Sequence, residues 1–404
     1  MNILILTDRY YPSPMSGAIL TRDLATELSS QGHQVYVASG DSTIDQEFTL
    51  EKDENIQILR VRTSDPRNLS LPMRLLHEIG LQKKIWLAFS KTLNEKEIDL
   101  AVVHSPTIFW HVLLKKLKKK YDLRVYLILR DLFPQWILDT KLISSINPVY
   151  WFMKYREIQL YKHTDIIGVQ SKSNLGYFEN KQYLRNFKVE VLYNWKIIGE
   201  KSKLQSNIRE ELKIEDKTLF VFGGNLGFAQ DIDNLIRLIH SMQAVEDFHF
   251  LFIGAGTQFQ KIREWIDINN TRNVSLLNSV SNDEYQSILN DCDVGVISLR
   301  HDFKTDNFPN KLLNYLEYKL PILASINPDN ELFKLIEERE IGLPSNNGDD
   351  NQFLKNAETL TKERKKRGEM GKQGYKLLKE IFDVKVAAKK ILKVSDRSKL
   401  ENEI

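Results

Sequence analysis

Residues 300–314 put Arg300, His301, Lys304 and Lys311 around one loop, beside Phe308-Pro309 and a segment of helical periodicity starting near Asn310. The first N–H groups of a helix have no partner inside it and carry partial positive charge. Cationic side chains beside such an end make a site for an anion, and a diphosphate suits this charge count. Asn310 also stands where a capping residue is favoured, so capping and ligand contact both remain open there.

Glycine-bearing loops follow three apolar runs. "SPMSGAI" carries Gly17, "FGGNLG" carries Gly223, Gly224 and Gly227 around Asn225, and "IGAGT" carries Gly254 and Gly256. Glycine lets backbone N–H groups approach a phosphate, although tight turns need it too. None of the three fits G-x-G-x-x-G with an acid at the expected distance, which disfavours a dinucleotide dehydrogenase. In "LILRDLFPQWILD" (127–139), Arg130 and Asp131 close an apolar run, and Phe133, Pro134 and Trp136 follow as an aromatic wall. Asp131 could orient an acceptor hydroxyl, and Arg130 could contact a phosphate or the acceptor. Their bland alternative is a surface ion pair, which contributes little. Asp231 and Asp233 resemble a metal pair, but at a helix start they read better as caps. No His, Cys or carboxylate cluster has metal-ligand spacing, so no metal is expected.

The elements that hold these loops alternate. Apolar runs at 2–7, 34–39, 99–105, 124–129 and 165–170 read as strands separated by helical segments, one of them 17–33. The series restarts at 218–227 and continues at 248–257, 273–280, 293–299 and 320–326. Continuous apolar strands alternating with helices argue for parallel sheets in α/β domains. Two doubly wound domains in tandem are therefore expected, 1–195 and 196–380, with "YNWKIIGEKSKLQSN" (193–207) as a polar linker. A long helix over 375–394 is expected to reach back to the first domain, giving a third segment, 381–404. A length of 404 residues suits two domains. Ligand loops belong at the carboxyl ends of such strands.

A hydrophobic share of 42% and a net charge of +3 are those of a globular protein. The single Cys292 excludes a disulfide framework and fits a reducing compartment. "MNILILTDRY" is too short an apolar start for a signal segment, and no apolar run is long enough to span a membrane. Basic charge is uneven: five lysines fall within six positions at 115–120. The segment 69–93 mixes Leu, Ile, Trp and Phe with Arg and Lys at helical spacing. Such segments suit either core packing with a wet basic edge or contact with anionic lipid.

Taken together, "MNILILTDRYYPSPMSGA", "LRDLFPQW", "DIIGVQSKSN", "VEVLYNW", "FGGNLGFAQDIDNLI", "FLFIGAGTQ" and "FPNKLLNYLEYKLPILAS" resemble the GT-B-fold, retaining glycosyltransferases of family four. The nearest subgroup is the WbuB-like N-acetyl-L-fucosamine transferases of bacterial O-antigen and capsule assembly. The resemblance implies two Rossmann-like domains facing across a cleft, acceptor on the first and nucleotide-sugar on the second. It implies a UDP-sugar donor, an acceptor sugar on undecaprenyl diphosphate, no metal, no nucleic-acid partner, and a cytoplasmic protein peripheral on the inner face of the plasma membrane. It assigns Asp131, Arg130 and Asp306 to catalysis. Donor contacts fall to Gly17, Gly224, Asn225, Gly254, Gly256, Arg300, Lys304, Asn307, Phe308, Pro309, Lys311 and Asn314. The sequence also departs from the family. Asp306 and Asn314 stand where two glutamates are usual, "GFAQD" replaces the usual Arg and Lys, and Arg130 replaces a common histidine. A GT-B sugar-nucleotide epimerase and a catalytically inactive binding subunit are the alternatives.

Overall fold

The structure, a computed structural model, describes all residues except 14, 66–70, 94, 106, 140–142, 200–205, 302–307 and 396–404; within helices, the side chains of Leu71, Pro72, Trp136 and Asp139 are also outside it. The chain divides into two compact units, Met1–Ile197 with Val384–Ile404, and Ile198–Asp383.

The first unit holds strands β1 (Asn2–Arg9), β2 (Gln34–Asp41), β3 (Phe48–Asp53), β4 (Ile56–Arg62), β5 (Leu100–His104), β6 (Arg124–Leu129), β7 (Ile166–Val169) and β8 (Val189–Val191). Its helices are α1 (Ser16–Ser30), α2 (Leu71–Thr92), α3 (His111–Lys120), α4 (Gln135–Asp139), α5 (Pro148–Lys162) and α6 (Lys172–Glu179). The sheet order is β3-β4-β2-β1-β5-β6-β7-β8. All neighbours are parallel except β3, which runs antiparallel to β4 at the edge. The inner strands are buried on both faces, which is why they read as unbroken apolar runs. One face packs under α2, α3, α5 and α6 through Leu81, Ile85, Leu113, Leu117, Leu160 and Phe178. The other packs under α1 through Leu20, Leu24 and Leu28. Asp165 ties the first of these layers to the sheet. Its carboxylate accepts from Lys118 Nζ at 2.9 Å, Arg124 Nη1 at 3.1 Å and the Val125 N–H at 2.7 Å.

The second unit holds β9 (Thr218–Asn225), β10 (Phe248–Ala255), β11 (Val274–Leu277), β12 (Val294–Ser298), β13 (Ile322–Ile326) and β14 (Gly342–Asn346). Its helices are α7 (Ile208–Leu212), α8 (Ile232–Ser241), α9 (Phe259–Asn269), α10 (Asn282–Asp291), α11 (Asn310–Glu317), α12 (Glu331–Glu338), α13 (Asp350–Lys362) and α14 (Arg364–Leu377). Its six strands are all parallel in the order β11-β10-β9-β12-β13-β14. The expected doubly wound α/β class is what both units show.

Some readings are corrected. Residues 375–394 do not make one helix: α14 ends at Leu377, a π-turn spans Leu378–Phe382, and α15 (Val384–Leu392) starts after Asp383. The break falls where the chain leaves one unit for the other, and α15 packs on α1 in the first unit through Val384, Ala387, Ala388 and Ile391. The start of the supposed linker is core: Trp195 is buried, and its Nε1–H donates to the Leu20 carbonyl at 2.9 Å. Asp231 is no side-chain cap. It sits at φ 45°, and its carboxylate accepts from Asn347 Nδ2 at 2.9 Å.

Close packing predicts unequal costs for two glycines. A Cβ at Gly295 on β12 would lie 2.4 Å from the buried Tyr315 ring, whereas one at Gly80 inside α2 meets nothing within 4 Å. Gly295→Ala should lower stability by about 1–3 kcal/mol through overpacking. Gly80→Ala should leave stability unchanged or raise it by up to about 1 kcal/mol, the helix-propensity difference. Urea midpoints of the two variants check this.

Candidate active site

A cleft of about 520 Å³ opens at the carboxyl end of the second sheet. β9 supplies Gly223, Gly224 and Asn225, β10 supplies Ile253 and Gly254, and α11 supplies Asn310, Lys311 and Asn314 behind Pro309. The strands approach closely here: a Cβ on Gly254 would fall 1.9 Å from the Gly224 carbonyl, and both residues have positive φ. Side chains at these positions would fill the floor. Gln230, Ser279, Val280, Asn282 and Tyr285 complete the wall.

Among the described residues the lining contains no carboxylate and one cation, with amides at Asn225, Gln230, Asn282, Asn310 and Asn314. Lys311 is the charged member. Its Nζ donates to Gln230 Oε1 at 3.1 Å and lies 3.4 Å from the centroid of the Phe222 ring. Part of its stem reaches the cleft surface, yet protein packs around the ammonium. Burial pulls its pKa from 10.5 to about 7. Helical spacing sets Asn314 one turn beyond it on the same side. Asn310 does not stand at the cap; the N-cap is Pro309, which makes no side-chain capping bond. The Leu312 N–H donates to the Pro309 carbonyl at 2.9 Å, and Pro309, Asn310 and Lys311 border the cleft.

The other sequence candidates lie in different surroundings. Gly256, at φ +155°, approaches the Leu226 carbonyl and is not in the cleft lining. The Arg300 guanidinium stacks 4.0 Å from the Phe228 ring centroid. Phe308 is buried edge-on against Phe382, with ring centroids 5.8 Å apart. Lys304, Asp306 and Asn307 lie outside the described residues.

In the first unit, Gly17 sits in the opening turn of α1, where a Cβ would press within 2.9 Å of the His104 ring. His104 ends β5, and burial together with the nearby Arg130 charge pushes its pKa down to about 3, so its ring is neutral. Arg130 follows β6, and its N–H donates to Ser105 Oγ at 2.9 Å. Burial lowers the Arg130 pKa and raises that of Asp131, each opposed by the other's charge. Gly17, Arg130 and Asp131 thus share the carboxyl edge of this sheet. A second cavity, about 260 Å³, lies on the same edge, lined among others by Asp8, Arg9, Asp41, Arg74, His77 and Glu78. Burial raises the carboxyls of Asp8 and Glu78, against Arg9 for the first, and against the Thr107 hydroxyl and Arg74 for the second.

Residues 17–195 match the sequence profile of Glycosyltransferase Family 4, and residues 205–377 match that of Glycosyl transferases group 1. The chain belongs to the GT-B glycosyltransferases. No curated protein sequence matches it significantly. Solved structures do. A UDP-forming α,α-trehalose-phosphate synthase from Burkholderia xenovorans, in complex with glucose-6-phosphate, superposes with TM-score 0.72 at 12% identity, over 98% of this chain and 100% of the other. Sucrose-phosphate synthase from Thermosynechococcus elongatus gives 0.70 at 14%, over 98% of each chain. WaaG, a glycosyltransferase involved in lipopolysaccharide biosynthesis, gives 0.63 at 14%, over 96% and 99%. At these identities the likeness is one of fold.

Sequence reasoning on this glycosyltransferase missed the polar cavity of the first unit. Its lining comes from five separated segments, 8–13, 40–43, 63–64, 74–81 and 107, and no spacing rule joins them. It also missed Gln230 and Tyr285. The first sits in "GFAQD", where the usual cations were sought; the second lies on α10, away from any glycine loop.

The lowered pKa of Lys311 gives this glycosyltransferase a proton signature. Protonation is the costly state in the fold, so stability should rise as pH climbs from about 7 toward 10.5. An anion in the cleft restores the charge. UDP binding just above pH 7 should therefore take up protons, read by calorimetry in buffers of different ionisation enthalpy. Lys311→Met should abolish the uptake and weaken UDP by roughly 10- to 100-fold, the contribution of one hydrogen bond to a charged group. Unchanged uptake in the variant would remove Lys311 from the site.

Proposed function

We propose that this glycosyltransferase moves a sugar from a UDP donor onto a lipid-linked sugar, with retention at the anomeric carbon and without a metal. The observation that carries the reading is the lining of the second unit's cleft: among the described residues, one lysine, several amides and the helix start behind Pro309. Such a lining suits a nucleoside diphosphate. Several structures of the same fold point to the donor, among them one bound with UDP-2-fluoro glucose. WaaG, with its role in lipopolysaccharide biosynthesis, supports a lipid-linked acceptor.

In the proposed reaction the bond between the anomeric carbon and the diphosphate oxygen breaks as the acceptor oxygen bonds to that carbon on the same face. The acceptor proton leaves with the diphosphate. The main demand on the protein is to stabilise charge on the leaving group and to hold both reactants in place. Lys311 and the α11 N–H groups meet the diphosphate, with Arg300 and Lys304 as further cations. Asn225 and the glycines of β9 and β10 let the backbone approach it. Asn314 bonds a ribose hydroxyl, more weakly than a carboxylate would. Asp131 orients the acceptor hydroxyl, with Arg130 beside it, and Asp306 is assigned to catalysis by the resemblance. The polar cavity with Asp8 and Glu78 is placed to hold hydroxyls of the acceptor sugar. The donor sugar we favour is N-acetyl-L-fucosamine, and the acceptor is GlcNAc on undecaprenyl diphosphate in O-antigen or capsule assembly. On this reading the protein works at the inner face of the plasma membrane.

A donor screen tests this. Purified protein, a panel of UDP-, GDP- and dTDP-sugars and lipid-linked GlcNAc diphosphate should give one product heavier by a deoxy-N-acetylhexosamine, from the UDP donor only. Asn314→Ala should raise the donor KM about 2- to 10-fold, the loss of one neutral hydrogen bond. UDP binding with no product from any donor would sink the enzyme reading in favour of an inactive subunit. Turnover of the UDP-sugar with no acceptor present, giving its epimer, would sink it in favour of an epimerase.

A further inference from the structure

α5 buries Tyr150, Met153 and Leu160 together with an ion pair: Lys154 and Glu157 are buried and paired, and Tyr161 donates to Glu157 at 2.9 Å. Its outward side carries Trp151 at 60% exposure, Tyr155 at 58% and Phe152 at 40%. Ile146, in the turn before the helix, is 87% exposed. The indole is held in place, its Nε1–H donating to the Ser145 carbonyl at 2.8 Å. Large apolar rings gathered on the outer side of a helix have the wrong polarity for water there.

The surroundings say what covers it. α2, α3, α5 and α6 lie on one face of the first sheet, with α3 in contact with both α2 and α5. Arg156 on α5 bonds His111 on α3, Nη1 to Nε2 at 2.9 Å. The outer surfaces of α2 and α3 expose Lys83, Lys84, Lys115, Lys116, Lys119 and Lys120, along with Met73, Leu76, Leu87 and Val112. Among the described residues of α2, α3 and α5 the acids are Glu78 and Glu157, and neither is exposed. The exposed charge of the three helices is therefore of one sign. A second copy of this chain would set that charge against itself.

We propose that the outer face of α5, flanked by α2 and α3, is a bilayer-contact surface for anionic lipid. Ile146, Trp151, Phe152 and Tyr155 enter the boundary between headgroups and acyl chains, and the lysines meet phosphate headgroups. Trp and Tyr at that depth, with a cationic rim, are the residue types an interfacial helix uses. The proposal deepens the membrane part of the reading above, and its test uses no acceptor.

The test is flotation of the full chain with vesicles of phosphatidylcholine alone or mixed with phosphatidylglycerol. Wild type should float with the mixed vesicles and much less with the neutral ones. The pair Ile146→Ser and Trp151→Ser should bind at least about tenfold more weakly through lost apolar burial. Lys115→Gln and Lys119→Gln, which leave α5 intact, should each weaken binding about fivefold. Unchanged urea midpoints would show that the variants fold. Equal flotation of all variants, or none by wild type, overturns the surface. So does a concentration-dependent dimer, without vesicles, that the Ile146 and Trp151 pair abolishes. Transfer to a short-chain soluble acceptor, assayed separately, keeps this result apart from the transferase reading: activity without flotation sinks the surface alone, and flotation without activity leaves the surface standing.

Discussion

The phenol of Tyr315 lies wholly buried between β9 and β12. Its oxygen accepts from the Gly223 N–H and donates to the Val221 carbonyl, each at 3.1 Å, and its ring covers Gly295. That clamp fixes α11 on the strand whose end forms the cleft floor. Lys311 and Asn314 precede Tyr315 on the same short helix, so their reach into the cleft follows from it. Gly223 and Gly295 are glycine for the same reason: a side chain at either would displace a tyrosine, Tyr285 at the first and Tyr315 at the second. The ligand cleft and the core are one packing problem here.

Electrostatics divides the two units by task. Among the described residues the second unit's cleft is lined by one lysine and no acid, and burial draws that lysine's pKa down to about 7. The first unit gathers carboxyls and guanidinium groups at its sheet edge, with Asp8, Glu78 and Asp131 biased toward their protonated forms. Carboxyls of that kind grip hydroxyls rather than phosphates. Perturbed acids and bases gathered at a cavity are a mark of function rather than of stability.

What the sequence made legible follows from range. Strands buried on both faces are apolar throughout, so β1, β5, β6, β9 and β12 stand out. β3 reads "FTLEKD" and is mostly exposed at the edge, which hid the hairpin with β4. The break before α15 was hidden too. No Gly or Pro marks 378–384; the chain turns because Phe382 is pinned under Phe308 while Val384 belongs to the core of the other unit. Lys311 and Asn314 were legible because helical spacing is local. Arg300 drew attention for its charge, and its stacking on Phe228 comes from a loop seventy residues away. The exposed aromatic face of α5 was not seen, because period alone does not say which face of an apolar helix meets the sheet.

The return of α15 makes the first unit discontinuous. Val384, Ala387, Ala388 and Ile391 fill the layer beside α1, and Lys390 Nζ donates to the Val191 carbonyl at 2.7 Å. Everything in the second unit is contiguous between them. On the ribosome the sequence that is made first must therefore wait. The groove on α1 stays open until nearly four hundred residues have been joined, while the inserted unit can complete its own core sooner. Quality control in the cell meets a nascent chain whose amino-terminal half is the last to close.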